Sequence, residues 1–155
     1  MVALLDINVL VALFDLNHAK HQVAHDWFDE QRPFGWATCP LTENGLVRVT
    51  TSPRYAEPAY RPGEVVEHLL AFRRSGEHRF WSDSLSLTDE NIFNASFIRG
   101  HKQVTDIYLL ALATAAGGAF ATLDQSVPLA AVKGAKRANL LVISDAPEES
   151  RSGDR

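Results

Sequence analysis

Short strand-like runs at Val2–Leu5, Trp36–Cys39, Arg79–Trp81, Ala119–Leu123 and Leu140–Ile143 alternate with longer stretches of helical periodicity. This alternation restricts the fold more than any other feature of the chain. Most of these runs are short and apolar with no polar face to turn to water, so they suit strands buried on both sides. Such strands, each followed by a helix, imply a parallel sheet covered on both faces: a three-layer α/β/α domain.

The helical stretches carry their own start and stop signals. Leu10, Leu13 and Phe14 recur at three- and four-residue spacing after Asn8. A second helix is predicted from about Lys20 to Gln31, with Val23, Trp27 and Phe28 inward, and a third over Leu41–Thr51. Pro62 sits at a favourable first-turn position for a helix to about Ser75, stopped by Gly76. Thr88 reads as an N-cap with Asp89 and Glu90 in the first turn, the segment closing at Gly100. Thr105 reads as the cap of an apolar helix from Asp106 to about Ala116, ended by Gly117-Gly118. Residues 1–144 are expected to form one domain and 145–155 a polar, disordered tail.

The bulk numbers exclude several classes. A net charge of −4 over 155 residues argues against holding nucleic acid by overall electrostatics. It leaves room for a nuclease whose metal supplies positive charge only at the site. One cysteine, Cys39, rules out an internal disulfide and reads as a small core residue. The N-terminus lacks a secretory signal, and the longest apolar run is too short to span a bilayer, so a cytoplasmic protein with no membrane partner is expected. His21 and His25 have zinc-compatible spacing but no third ligand, and read as a solvated helix face.

The acidic residues stand out by position. Asp6 interrupts an apolar run, where an isolated carboxylate is costly unless paired, protonated or bound to a cation. Asp6 and Asp124 directly follow the first and fourth strands, and Glu43 lies in the first turn of the helix after the second. Asp106 joins them if its helix starts at the same rim. Ligands gather at the carboxyl ends of parallel strands. Four carboxylates crowded there call for a divalent cation, and Mg²⁺ or Mn²⁺ suit an open set of oxygen donors.

At these residues the chain resembles PIN-domain ribonucleases, and in particular the VapC toxins of type II toxin–antitoxin pairs. The matching stretches are "LLDINVLVAL", "PLTENGLVRV", "HKQVTDIYLLALA" and "FATLDQSV", in family order. The resemblance implies a PIN-like fold, metal-dependent endoribonuclease activity, inhibition by a VapB-like antitoxin, and homodimerisation. It carries the catalytic, metal-binding set onto Asp6, Glu43, Asp106 and Asp124, with Asn8 and Thr122 as supporting polar residues. Val127 stands where many relatives carry a longer apolar or aromatic residue. Arg48, Arg99 and Lys102 are the expected contacts to RNA phosphates, which an acidic chain must supply locally.

Two other readings compete. A haloacid-dehalogenase-like phosphatase also places an Asp, here Asp6, after its first strand, but needs a second Asp where this chain has Asn8. An amide cannot protonate a leaving group. A non-catalytic RNA- or protein-binding module on the same fold would have no need of all four acids.

Overall fold

The computed structural model describes residues 1–145. The strands are β1 (Ala3–Leu5), β2 (Trp36–Thr38), β3 (His78–Phe80), β4 (Ala119–Thr122) and β5 (Leu140–Val142). They form one parallel sheet in the order β3-β2-β1-β4-β5. The helices are α1 (Ile7–Phe14), α2 (His21–Gln31), α3 (Pro40–Thr50), α4 (Pro62–Arg73) and α5 (Val104–Ala115).

Alternation along each strand divides the core. Ala3, Leu5, Trp36 and Ala121 face one side, packing with Val9 and Leu10 of α1, Phe28 of α2, Leu46 of α3 and Leu69 of α4. Leu4, Ala37 and Phe120 face the other, against Ile107, Leu110 and Ala111 of α5. The expected three layers are therefore present. Trp36 is fully buried and donates its indole N–H to the Ser75 carbonyl at 3.0 Å, which satisfies its one polar atom.

Gly45 sets the approach of α3 to α1. A Cβ at this position would collide with the Ile7 side chain, so any larger residue requires Ile7 to shift or the helices to part. Ile7 is the neighbour of Asp6, so this contact lies beside the start of α1. Gly117 has φ +70°, a conformation glycine adopts freely, and turns the chain from α5 into β4.

The segment 88–100 departs from expectation. It holds turns and one 3₁₀ turn, Ala95–Phe97, in place of an α-helix. Its polar side chains compete with the helical ladder. Asp89 Oδ1 accepts the Asn91 N–H at 2.9 Å, and the Ser96 hydroxyl donates to Asn94 Oδ1 at 2.8 Å. Phe93 is buried by pairing antiparallel with Val132. Nor does Thr105 cap α5, which begins one residue earlier from a 3₁₀ turn at His101–Gln103; Asp106 stays in its first turn. The tail predicted over 145–155 lies, apart from Asp145, outside the described residues.

Candidate active site

The strand order reverses direction between β1 and β4, because the chain builds β2 and β3 on one side of β1 and returns to place β4 on the other. At such a point of an open parallel sheet the loops leaving the two strand ends diverge, which is where ligands gather. Asp6 and Asp124 follow those two strand ends.

Asp6 is 4% exposed. It caps α1: Oδ1 accepts the Ile7 N–H at 2.7 Å, and Oδ2 accepts the Thr122 hydroxyl at 2.6 Å. Burial raises its carboxyl to about 6, against the lowering effect of those two hydrogen bonds, and the charge of Asp124 adds to the rise. Asp106, in the first turn of α5, is raised to about 7, first by burial and then by the charges of Asp6 and Asp124. The three carboxylates therefore share one electrostatic neighbourhood.

Supporting residues hold this group in place. Thr122 Oγ1 accepts the Asp124 N–H at 3.0 Å while donating to Asp6, so one hydroxyl ties both strand-end acids together. Asn8 Oδ1 accepts the Leu123 N–H at 3.4 Å, joining the start of α1 to the end of β4. Ser126 binds Asp124 Oδ1 through its N–H at 2.8 Å and its hydroxyl at 2.7 Å. These bonds keep the Asp124 carboxyl below its usual range. Ser126 was not among the expected site residues, although the Asp-x-Ser spacing of an Asx turn signals it.

Glu43, the remaining expected ligand, has partners outside this group. Its Oε1 accepts the Thr38 hydroxyl at 2.6 Å and lies 3.4 Å from Arg73 Nη1. His78 Nε2 lies 2.8 Å from the same hydroxyl. Thr38 spends its only proton on Glu43, so His78 Nε2 is the donor in that bond. Burial, with Arg73 nearby, pushes His78 down to about 4. Successive residues on α3 are about 100° apart, and the next residue, Asn44, lines a hollow together with Ile7 and Thr105.

Arg48 lines that hollow too. Arg99 and Lys102 are exposed on the approach to α5. Asp83, missed in the sequence although it follows β3 closely, accepts the Leu41 N–H at 3.1 Å and caps α3. Cys39 is buried and its thiol is raised to about 11, which fits an inert core residue. His21 lies 2.7 Å from the Ala12 carbonyl through Nδ1, a structural contact.

Among the described residues no three carboxylate, imidazole or thiol groups converge into a full metal cage. The donor set nonetheless fits a hard dication. Burial opposes negative charge on Asp6 and Asp106, neither of which forms an ion pair among the described residues, and Mg²⁺ is commonly held by one or two carboxylates with water completing its shell.

No protein-family model matches the chain. Among curated proteins it is 43% identical over 143 residues to Ribonuclease VapC44 of Mycobacterium tuberculosis, covering 92% of this chain and 100% of that one. It is 43% identical over 126 residues to Ribonuclease VapC38 of the same organism, covering 81% and 87%. With Ribonuclease VapC39 it shares 36% over 127 residues, covering 82% and 91%. In fold it is similar to VapBC2 from Rickettsia felis, solved bound to a DNA fragment from the pair's promoter. That likeness has a TM-score of 0.55 at 13% identity and covers 92% of this chain and 97% of that one. With such identity over most of its length, the chain belongs to the VapC ribonuclease family.

Proposed function

We propose that this protein is a toxin endoribonuclease of the VapC type, that it needs Mg²⁺ or Mn²⁺, and that a VapB-like antitoxin inhibits it. The observation that carries this reading is that Asp6 and Asp124 follow the neighbouring strands β1 and β4, with the charges of both acting on Asp106, in a chain whose relatives are ribonucleases. Asp6 and Asp106 would hold the cation, with Asp124 beside them. When bound, the cation supplies an activated water and neutralises charge developing on the phosphate. Thr122 aims Asp6, and Ser126 keeps Asp124 ionised and turned to the site. Asn8 locks the loop that carries Asp124 against α1.

Attack by water, and not by the ribose 2′-hydroxyl, leaves a 5′-phosphate and a 3′-hydroxyl. Arg48, Arg99 and Lys102 are proposed to draw the RNA backbone to the rim. A homodimer is proposed from family resemblance. No helix among the described residues is long and apolar enough to cross a membrane.

The test is cleavage of single-stranded RNA with chelator, followed by back-titration with Mg²⁺ or Mn²⁺ and analysis of the ends. Cleavage that stops with EDTA, returns with metal and leaves 5′-phosphates is expected. Cleavage that survives EDTA, or leaves cyclic phosphates, overturns the mechanism.

A further inference from the structure

A cavity of about 350 Å³ opens where α1, α3 and α5 begin, inside the roughly 300–1,000 Å³ typical of small-ligand sites. Ile7 and Thr105 line it, each the chain neighbour of a site carboxylate, Asp6 and Asp106. Pro40 and Leu41 add apolar surface, and Asn44 and Arg48 lie one helical turn apart on α3. A second hollow of about 530 Å³ shares Leu41, Asp83 and Thr105 and continues to Tyr108.

Asp83 also lines the cavity, where its carboxylate accepts the Leu41 N–H at 3.1 Å; the side chains of Asn44 and Arg48 are unspent. Arg48 forms no ion pair among the described residues, although it belongs to an acidic chain. Asn44 is exposed and holds both a donor and an acceptor. Apolar surface, an unpaired guanidinium and an amide match, in order, the base face, the phosphate and the base edge of a nucleotide.

We infer that this cavity is the subsite for the nucleotide adjoining the scissile phosphate. Arg48 meets that nucleotide's backbone phosphate, Asn44 hydrogen-bonds its base edge, and Pro40 and Leu41 carry the base face. The assignment rests on the nuclease reading above. It makes Arg48 responsible for affinity whatever the base, and Asn44 responsible for preference at a single position.

The experiment compares wild type, Arg48→Ala, Arg48→Lys, Asn44→Ala and Asp106→Asn on a pool of short single-stranded RNAs of random sequence in Mn²⁺. It reads kcat, KM, salt dependence and the sequences flanking each cut, with Tm as a control for folding. Arg48→Ala raises KM about tenfold with little change in kcat. It also reduces the slope of log affinity against log salt by about 0.7, which Arg48→Lys restores. Asn44→Ala still cuts but loses preference at one position beside the cut. Asp106→Asn does not cut. If wild type cuts and Asp106→Asn does not, yet the Arg48 and Asn44 variants keep wild-type KM, salt slope and preference, the subsite is wrong and the nuclease reading stands. If wild type cuts no RNA, both fall.

Discussion

Asp6 carries a charge that its own surroundings do not stabilise. Thr122 and the Ile7 N–H both favour its ionised form, yet burial outweighs them and leaves the carboxyl near 6, with Asp106 near 7. In the unfolded chain both titrate near the ordinary value of about 4. Between those limits the folded state binds more protons, so metal-free stability is full below pH 4 and falls as pH rises to about 7. Asp6→Asn is therefore expected to raise stability in EDTA at pH 8 by of order 1–3 kcal/mol, and to give no such gain at pH 4, while abolishing cleavage. Urea melts at the two pH values check this. Thr122→Val removes a bond that lowers Asp6, so the acid limb of the pH–rate profile moves to higher pH. Asp6 was legible in the sequence because it breaks an apolar run. Ser126 was not, because it acts only through Asp124.

The phase of α3 decides which partners each of its side chains meets, and a first-turn position alone does not reveal that phase. Glu43 turns to Thr38 and to Arg73, whose guanidinium also stacks over Phe80 at 5.0 Å. It thereby ties α3 to α4 and to the edge strand β3. Glu43→Ala is expected to cost about 1–2 kcal/mol of stability, and to change Mn²⁺ affinity by less than about threefold. A melt and a metal titration separate these effects. Gly45→Val collides with Ile7 and is expected to cost about 1–3 kcal/mol, with lower activity because α1 carries Asp6. The segment 88–100 was misread. Thr88, Asp89 and Glu90 look like helix-start residues in isolation, but here Asp89 and Asn94 close local turns while Phe93 pairs with Val132.

The alternation of short strands with helices was enough to read the layers and the parallel sheet. The order β3-β2-β1-β4-β5 was not legible, since placing β4 beside β1 depends on packing between segments far apart in the chain. That placement brings Thr122 to Asp6 across 116 residues, and sets α5 so that Asp106 arrives at the same rim. The chain's charge of −4 leaves affinity for RNA to local cations and to bound metal. Co-expression with a VapB-like antitoxin is expected to relieve growth arrest caused by the wild-type chain, and Asp106→Asn to cause none. The most direct test is calorimetric titration of Mn²⁺ into the folded wild type, Asp6→Asn and Asp106→Asn. Binding by wild type that each substitution weakens at least tenfold is the predicted result. Equal binding by all three would contradict it.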